Sequence, residues 1–111
     1  ANKSLLRIAL DNIIENALLY QNGTKNEIEI FTDSGNYYFY IHVKDNGDGI
    51  PEKYFEDLFK PYFKISNKTQ GSGLGLFLAH RAISFLAGEI SVTSTVNEGS
   101  QFTLKIPINP K

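Results

Sequence analysis

Apolar residues recur at helical spacing along the first part of the chain: Leu5, Leu6, Ala9, Ile13 and Ala17 fall on one stripe when successive residues turn by about 100° around an axis. Few breakers interrupt the pattern before Asn22-Gly23, so it predicts a first helix from Ser4 to Tyr20. Polar and apolar residues then alternate from Glu27 to Thr32, Asp33-Ser34-Gly35-Asn36 has turn composition, and Tyr37 to Val43 is aromatic and β-branched; together these predict a hairpin. A breaker cluster, Asp45 to Pro51, precedes a short amphipathic helix expected over Glu52 to Phe59 and closed by Pro61. Ile65 to Gly73 is polar and contains glycine, whereas Leu74 to Ala87 is apolar enough for a mostly buried helix that Gly88 would stop. Glu89 to Thr95 and Gln101 to Ile106 alternate around Asn97-Glu98-Gly99-Ser100, a second hairpin.

That order of elements predicts an α+β fold: a two-layer α/β sandwich whose mixed β-sheet packs on three helices. With 111 residues the chain has room for one domain, 1–111, and a chain of this length buries enough surface to do without disulfides or a structural metal. The absence of Cys removes thiol catalysis and zinc clusters from consideration. Eleven basic against twelve acidic residues leave a net charge of −1, which argues against nucleic acid or a membrane surface as partner. Tyr37, Tyr38, Phe39 and Tyr40 could be a stacking platform for single-stranded nucleic acid, but without interleaved Lys or Arg their alternation fits packing on one strand face better. No apolar run approaches the roughly 20 residues that span a bilayer. Entry almost directly into a helix without an initiator Met reads as a segment of a longer protein.

Three features break the pattern of a plain globular domain. Asn16 lies within the apolar stripe of the first helix, Asn12 at its edge, and Tyr20 continues the line; amides there need hydrogen-bond or metal partners, so they form either a satisfied buried network or a ligand site. Asp45-Asn46-Gly47-Asp48-Gly49-Ile50 follows a β-rich strand and is either a simple turn or a carboxylate beside glycines that admit a flat ligand; its spacing is not that of an EF-hand. Gly71-Ser72-Gly73-Leu74-Gly75-Leu76 opens the apolar helix, where backbone donors and the positive dipole end can cradle an anion, yet it fits neither a Walker loop nor a dinucleotide fingerprint.

Taken in order, Asn12-Ile13-Ile14-Glu15-Asn16-Ala17, Asp45 to Ile50, Phe59-Lys60-Pro61-Tyr62-Phe63, Gly71 to Leu76 and the closing Glu98-Gly99-Ser100-Gln101-Phe102 resemble the catalytic and ATP-binding domain of sensor histidine kinases. The resemblance covers nearly the whole chain and implies the Bergerat-type fold shared with gyrase and mismatch-repair ATPases. It implies that Asn16, helped by Asn12, holds Mg2+ against the ATP phosphates, that Asp45 accepts the adenine amino hydrogen bond, and that Gly47, Gly49 and Ile50 shape the base pocket beside Tyr20. Gly71, Ser72, Gly73, Leu74, Gly75 and Leu76 would face the phosphates. The segments Phe59 to Phe63 and Ile65 to Gln70 would form a lid. Phosphoryl transfer asks for charge neutralisation and alignment, to which Lys64 or Lys68 would contribute.

Two departures matter. Self-hydrolysing relatives carry a glutamate at the position of Asn12, so its absence favours transfer to a protein histidine; Leu19 stands where many relatives have lysine, which removes one implied phosphate contact. His42 and His80 lack the helical His-Glu context of a phosphoacceptor and read as structural. The resemblance therefore implies a separate helical dimerisation domain carrying the phosphoacceptor histidine, a response regulator downstream, and a cytoplasmic location, either free or as part of a membrane-anchored sensor. The other readings compatible with the site are a protein serine kinase of the anti-sigma type and a non-catalytic nucleotide-binding domain of the same fold.

Overall fold

The structure is a computed structural model and describes residues 2–19, 27–64 and 73–108. Its elements run α1 (Lys3–Leu19), β1 (Ile28–Ser34), β2 (Tyr38–Asp45), a 3-10 turn (Glu52–Tyr54), α2 (Gly75–Phe85), β3 (Glu89–Thr95) and β4 (Gly99–Pro107). The two helices pack on each other and cover one face of a four-stranded sheet of order β1-β2-β4-β3.

Both expected hairpins are present, and β4 joins them by pairing with β2. The sheet is an α+β sandwich layer as expected, but each pairing among the described strands is antiparallel, not mixed. The reason lies in which strand returns beside β2. Placing β4 there sets Ile41 opposite Leu104 and Val43 opposite Phe102, and β3 then adds Ile90 and Val92 to the same rows. These inward residues close on Ala9 and Ile13 of α1 and on Ala79, Ala82 and Ile83 of α2, forming one core.

The third predicted helix, Glu52 to Phe59, is instead a run of tight turns. Tyr54, Phe55, Asp57, Lys60 and Phe63 each donate to a carbonyl three residues back, the 3-10 pattern. Pro51 and Pro61 bracket too few residues to repay the nucleation of an α-helix, and burial of Tyr54, Phe55, Leu58, Phe59 and Phe63 holds the segment in place.

Of the aromatic run on β2, only Phe39 turns toward the core; Tyr38 and Tyr40 face the opposite side of the sheet and Tyr37 is 77% exposed. On that outer face Lys105 Nζ lies 4.3 Å from the Tyr38 ring centre, and His42 stacks on Phe31 while bonding Asp33 and Thr103 at 3.0 and 2.9 Å. His42 is thus a structural residue of the sheet.

Candidate nucleotide-binding site

β2 delivers Asp45 at its end, 8% exposed and facing the helical layer. Oδ1 accepts from the backbone N–H groups of Gly47 at 2.9 Å and Ser100 at 3.3 Å. Oδ2 has no hydrogen-bond partner among the described residues. Burial pushes the carboxyl above its ordinary pKa, against the opposing pull of the Gly47 and Ser100 amides.

The loop after Asp45 is docked on the β3–β4 hairpin. Gly49 has φ 77°, and a Cβ there would fall 2.2 Å from the Thr95 carbonyl oxygen, so only glycine fits. Asn97 N–H donates to the Asp48 carbonyl at 2.6 Å and Ile50 N–H to Ser94 Oγ at 2.7 Å. Ile50 itself is buried in the core. Asp45, Ser100 and Ser94 stand side by side across β2, β4 and β3, a polar row at the end of an otherwise apolar face.

On α1, Ala9, Ile13 and Ala17 are buried, and Asn12 and Asn16 lie half-buried at the margin of that stripe. Asn12 Nδ2 donates one of its two N–H groups to its own helix at the Ile8 carbonyl, 2.8 Å away, and Oδ1 lies toward α2. A Cβ on Gly75 would lie 3.4 Å from that oxygen. Asn16 makes no hydrogen bond to a described residue. Facing them, α2 begins with Leu74 at its N-cap, which supplies no side-chain acceptor, so the N–H groups of the first turn have no partner within the helix or on its cap residue. A half-buried amide oxygen beside a helix N-terminus suits an anion and a hard cation together. Among the described residues no three His, Cys, Asp or Glu side chains cluster, so carboxylate or imidazole ligation has no counterpart there.

The structure thus brings Asn12 against Gly75 at the start of α2, leaves Asn16 half-buried one turn further along α1, and gathers Asp45, Gly47, Gly49 and Ile50 at the end of the sheet. Leu76 is 8% exposed and sits in the core, so its backbone alone is available to a ligand; Leu74 and Gly73 are half-buried just before it. Phe59 packs on His80 and edge-on to Phe102, with ring centres 5.5 and 6.3 Å apart, which makes it an anchor of its segment. Lys64 is half-buried and forms no ion pair among the described residues. Tyr20, Gly71, Ser72, Lys68 and the segment Ile65 to Gln70 lie outside the described residues. Sequence reasoning missed Ser94. Its signal was available: a hydroxyl at the inward parity of an alternating strand, after Ile90 and Val92, is the same anomaly that singled out the amides.

The α+β sandwich carries a buried carboxylate at the sheet end and a carboxamide, Asn12, at the start of α2. The chain belongs to the histidine kinase-, DNA gyrase B-, and HSP90-like ATPase family, whose profile it matches over residues 1–110. The relatives it matches within that family include sensor histidine kinases. It is 36% identical over 107 residues to the sensor histidine kinase RcsC of Salmonella typhimurium, covering 93% of this chain and 11% of that protein. It is 35% identical over 107 residues to the heme sensor protein HssS of Staphylococcus haemolyticus, covering 96% of this chain and 23% of that protein. The chain therefore spans less than a quarter of these relatives' length. The catalytic domain of histidine kinase ThkA superposes with a TM-score of 0.83 at 29% identity, covering 99% of this chain and 71% of that one. A mycobacterial sensor histidine kinase, MprB, shares the fold with a TM-score of 0.85 at 21% identity, covering 100% of this chain and 77% of that one.

Proposed function

We propose that the chain binds Mg-ATP and delivers the γ-phosphoryl group to a histidine on a separate helical dimerisation domain, the first step of two-component signalling, with a response regulator as the next acceptor. The observation that carries this reading is Asn12 Oδ1 facing Gly75 at the first turn of α2, with Asn16 one helical turn further along the same side of α1. Asn16 and Asn12 would hold Mg2+, which supplies positive charge against the triphosphate. The first-turn N–H groups of α2 donate to phosphate oxygens and add the positive end of the helix dipole. Asp45 Oδ2 accepts from an amino group on the base, and Gly47 and Gly49 keep the backbone low beside it. Asn12 cannot act as a general base for water, because an amide has no basic site at neutral pH and its nitrogen is already bonded to Ile8. That favours transfer over hydrolysis. The domain works in the cytoplasm on this reading, free or beneath an anchored sensor; no helix among the described residues is long and apolar enough to cross a membrane.

The test mixes the chain with γ-labelled Mg-ATP and a helical dimerisation domain bearing a His-Glu pair. Acid-labile label on that domain supports the proposal. Acid-stable label on a serine of a partner would make it an anti-sigma-type serine kinase, and tight binding without transfer would make it a non-catalytic nucleotide-binding domain.

A further inference from the structure

Ser94 occupies a junction that base recognition in the pocket does not by itself explain. Its Oγ lies 2.9 Å from the Gly99 carbonyl, 2.7 Å from Ile50 N and 2.8 Å from Ser100 Oγ. A carbonyl only accepts, so the single Ser94 proton goes to Gly99; a backbone N–H only donates, so Ile50 takes one lone pair of Ser94. Ser100 must then be the donor in the remaining contact, and its proton points at Ser94, away from Asp45. Seen from the Asp45 side, Ser100 is left with lone pairs alone. Asp45 is its direct neighbour across β2 and β4, with Oδ2 likewise an acceptor. With Asp45 ionised, the two side chains together present acceptors and no proton.

We infer that Ser94 is a positioning residue for base selection: by fixing Ser100 as an acceptor beside Asp45, it makes the pocket prefer an amino group over an oxo group on the purine. The inference rests on the nucleotide reading above. An amino group supplies two donors to this edge, whereas an oxo group sets lone pairs against lone pairs. Removing the Ser94 hydroxyl releases the Ser100 proton, which can then turn toward an oxo group.

Calorimetry of the chain with Mg-ATP and with Mg-ITP, which differ in this one group and the adjacent ring proton, tests it. Wild type is expected to favour ATP, and Ser94→Ala to narrow the ATP-to-ITP ratio by about tenfold, the loss of one directed hydrogen-bond preference. Ser94→Thr, which keeps the hydroxyl, is expected to restore the ratio. Adding Ser100→Ala to Ser94→Ala should remove the gain in ITP binding. Equal weakening of both nucleotides by Ser94→Ala, with the ratio unchanged, overturns the inference and leaves Ser94 a purely structural hydroxyl. Should Ser94→Ala not fold, Ser94→Cys, whose larger thiol is only a weak donor and acceptor, is expected to narrow the same ratio, and an unchanged ratio overturns the inference. Failure of wild type to bind ATP, or ATP affinity unchanged by Asp45→Asn, sinks the nucleotide reading and this inference with it.

Discussion

The backbone N–H of Tyr62 donates to the carbonyl of Gly73 at 2.8 Å, and both residues hold left-handed backbone, with φ of 67° and 80°. The bond joins the aromatic turn segment, anchored by Phe59 and Phe63, to the approach of α2, so the packing of that segment helps position the open helix end. A Cβ on Gly73 would lie 2.7 Å from the Tyr62 Cα and carbonyl carbon, both backbone atoms.

Gly73→Ala is therefore expected to destabilise the fold by about 1–3 kcal/mol, combining left-handed strain with displacement of Tyr62. Tyr62→Gly, at a side chain 71% exposed, relieves strain and should cost nothing or gain up to about 1 kcal/mol. Urea denaturation of both variants reads the contrast. Equal stability of Gly73→Ala and wild type would show that the clamp is absent in solution.

The two amides of α1 offer a second contrast. Asn16 has no described partner and Asn12 bonds only its own helix, so replacing either by Ala, a better helix former, should leave stability within about 0.5 kcal/mol. Magnesium-dependent affinity for a nonhydrolysable ATP analogue should nevertheless drop tenfold or more for Asn16→Ala, and less for Asn12→Ala. Lost stability with affinity unchanged would return both residues to the fold alone.

The end of α2 shows how a correct element can carry a misplaced detail. Gly88 reads as the helix stop, yet the left-handed residue is Ala87, with φ 61°; Ala87 N–H donates to the Ser84 carbonyl and Gly88 N–H to the Ile83 carbonyl, the double bond of a Schellman end. Ala87→Gly is expected to raise stability by about 0.5–1 kcal/mol, measured as a shift in the urea midpoint with unchanged slope. A loss of stability would mean that the unfolded-state entropy of glycine outweighs the relieved strain.

What the sequence made legible follows the range of the interactions involved. Both helices and both hairpins could be read because each rests on periodicity and turn residues close along the chain; Asn12 and Asn16 stood out as amides on or at the edge of an apolar stripe, and Asp45 as a carboxylate at a strand end beside glycines. Strand order could not be read that way: whether β2 meets β3 or β4 depends on Val43 finding Phe102, 59 positions away, a choice made by packing across the whole sheet. The 3-10 segment failed for the same reason. Its aromatics are held by Phe102 and His80 from distant elements, and amphipathic spacing alone does not distinguish a packed run of turns from a helix. Ser94 lay between these cases, visible as an anomaly of parity but meaningful only once Ile50 and Ser100 were seen to converge on it.

Asp45 links the site to stability with a definite sign. Its folded pKa is raised above the ordinary carboxylate value, mainly by burial, so between the unfolded and folded values the native state binds the extra proton. Folding is therefore penalised as pH rises through the folded pKa, and the penalty stays constant above it. Asp45→Asn keeps an oxygen that can accept from Gly47 and Ser100 but carries no charge. The variant should thus be at least as stable as wild type at pH 7, with its advantage shrinking as pH falls through the raised pKa, because wild type then sheds its own charge. It should also lose affinity for ATP, since the Asn nitrogen turned toward an amino group meets donor with donor. Thermal unfolding of both proteins at pH 7 and at successively lower pH checks the first statement, and calorimetry the second. A variant less stable than wild type at neutral pH, with the gap closing on acidification, would show that the ionised carboxylate stabilises the fold through its two backbone bonds more than burial opposes it.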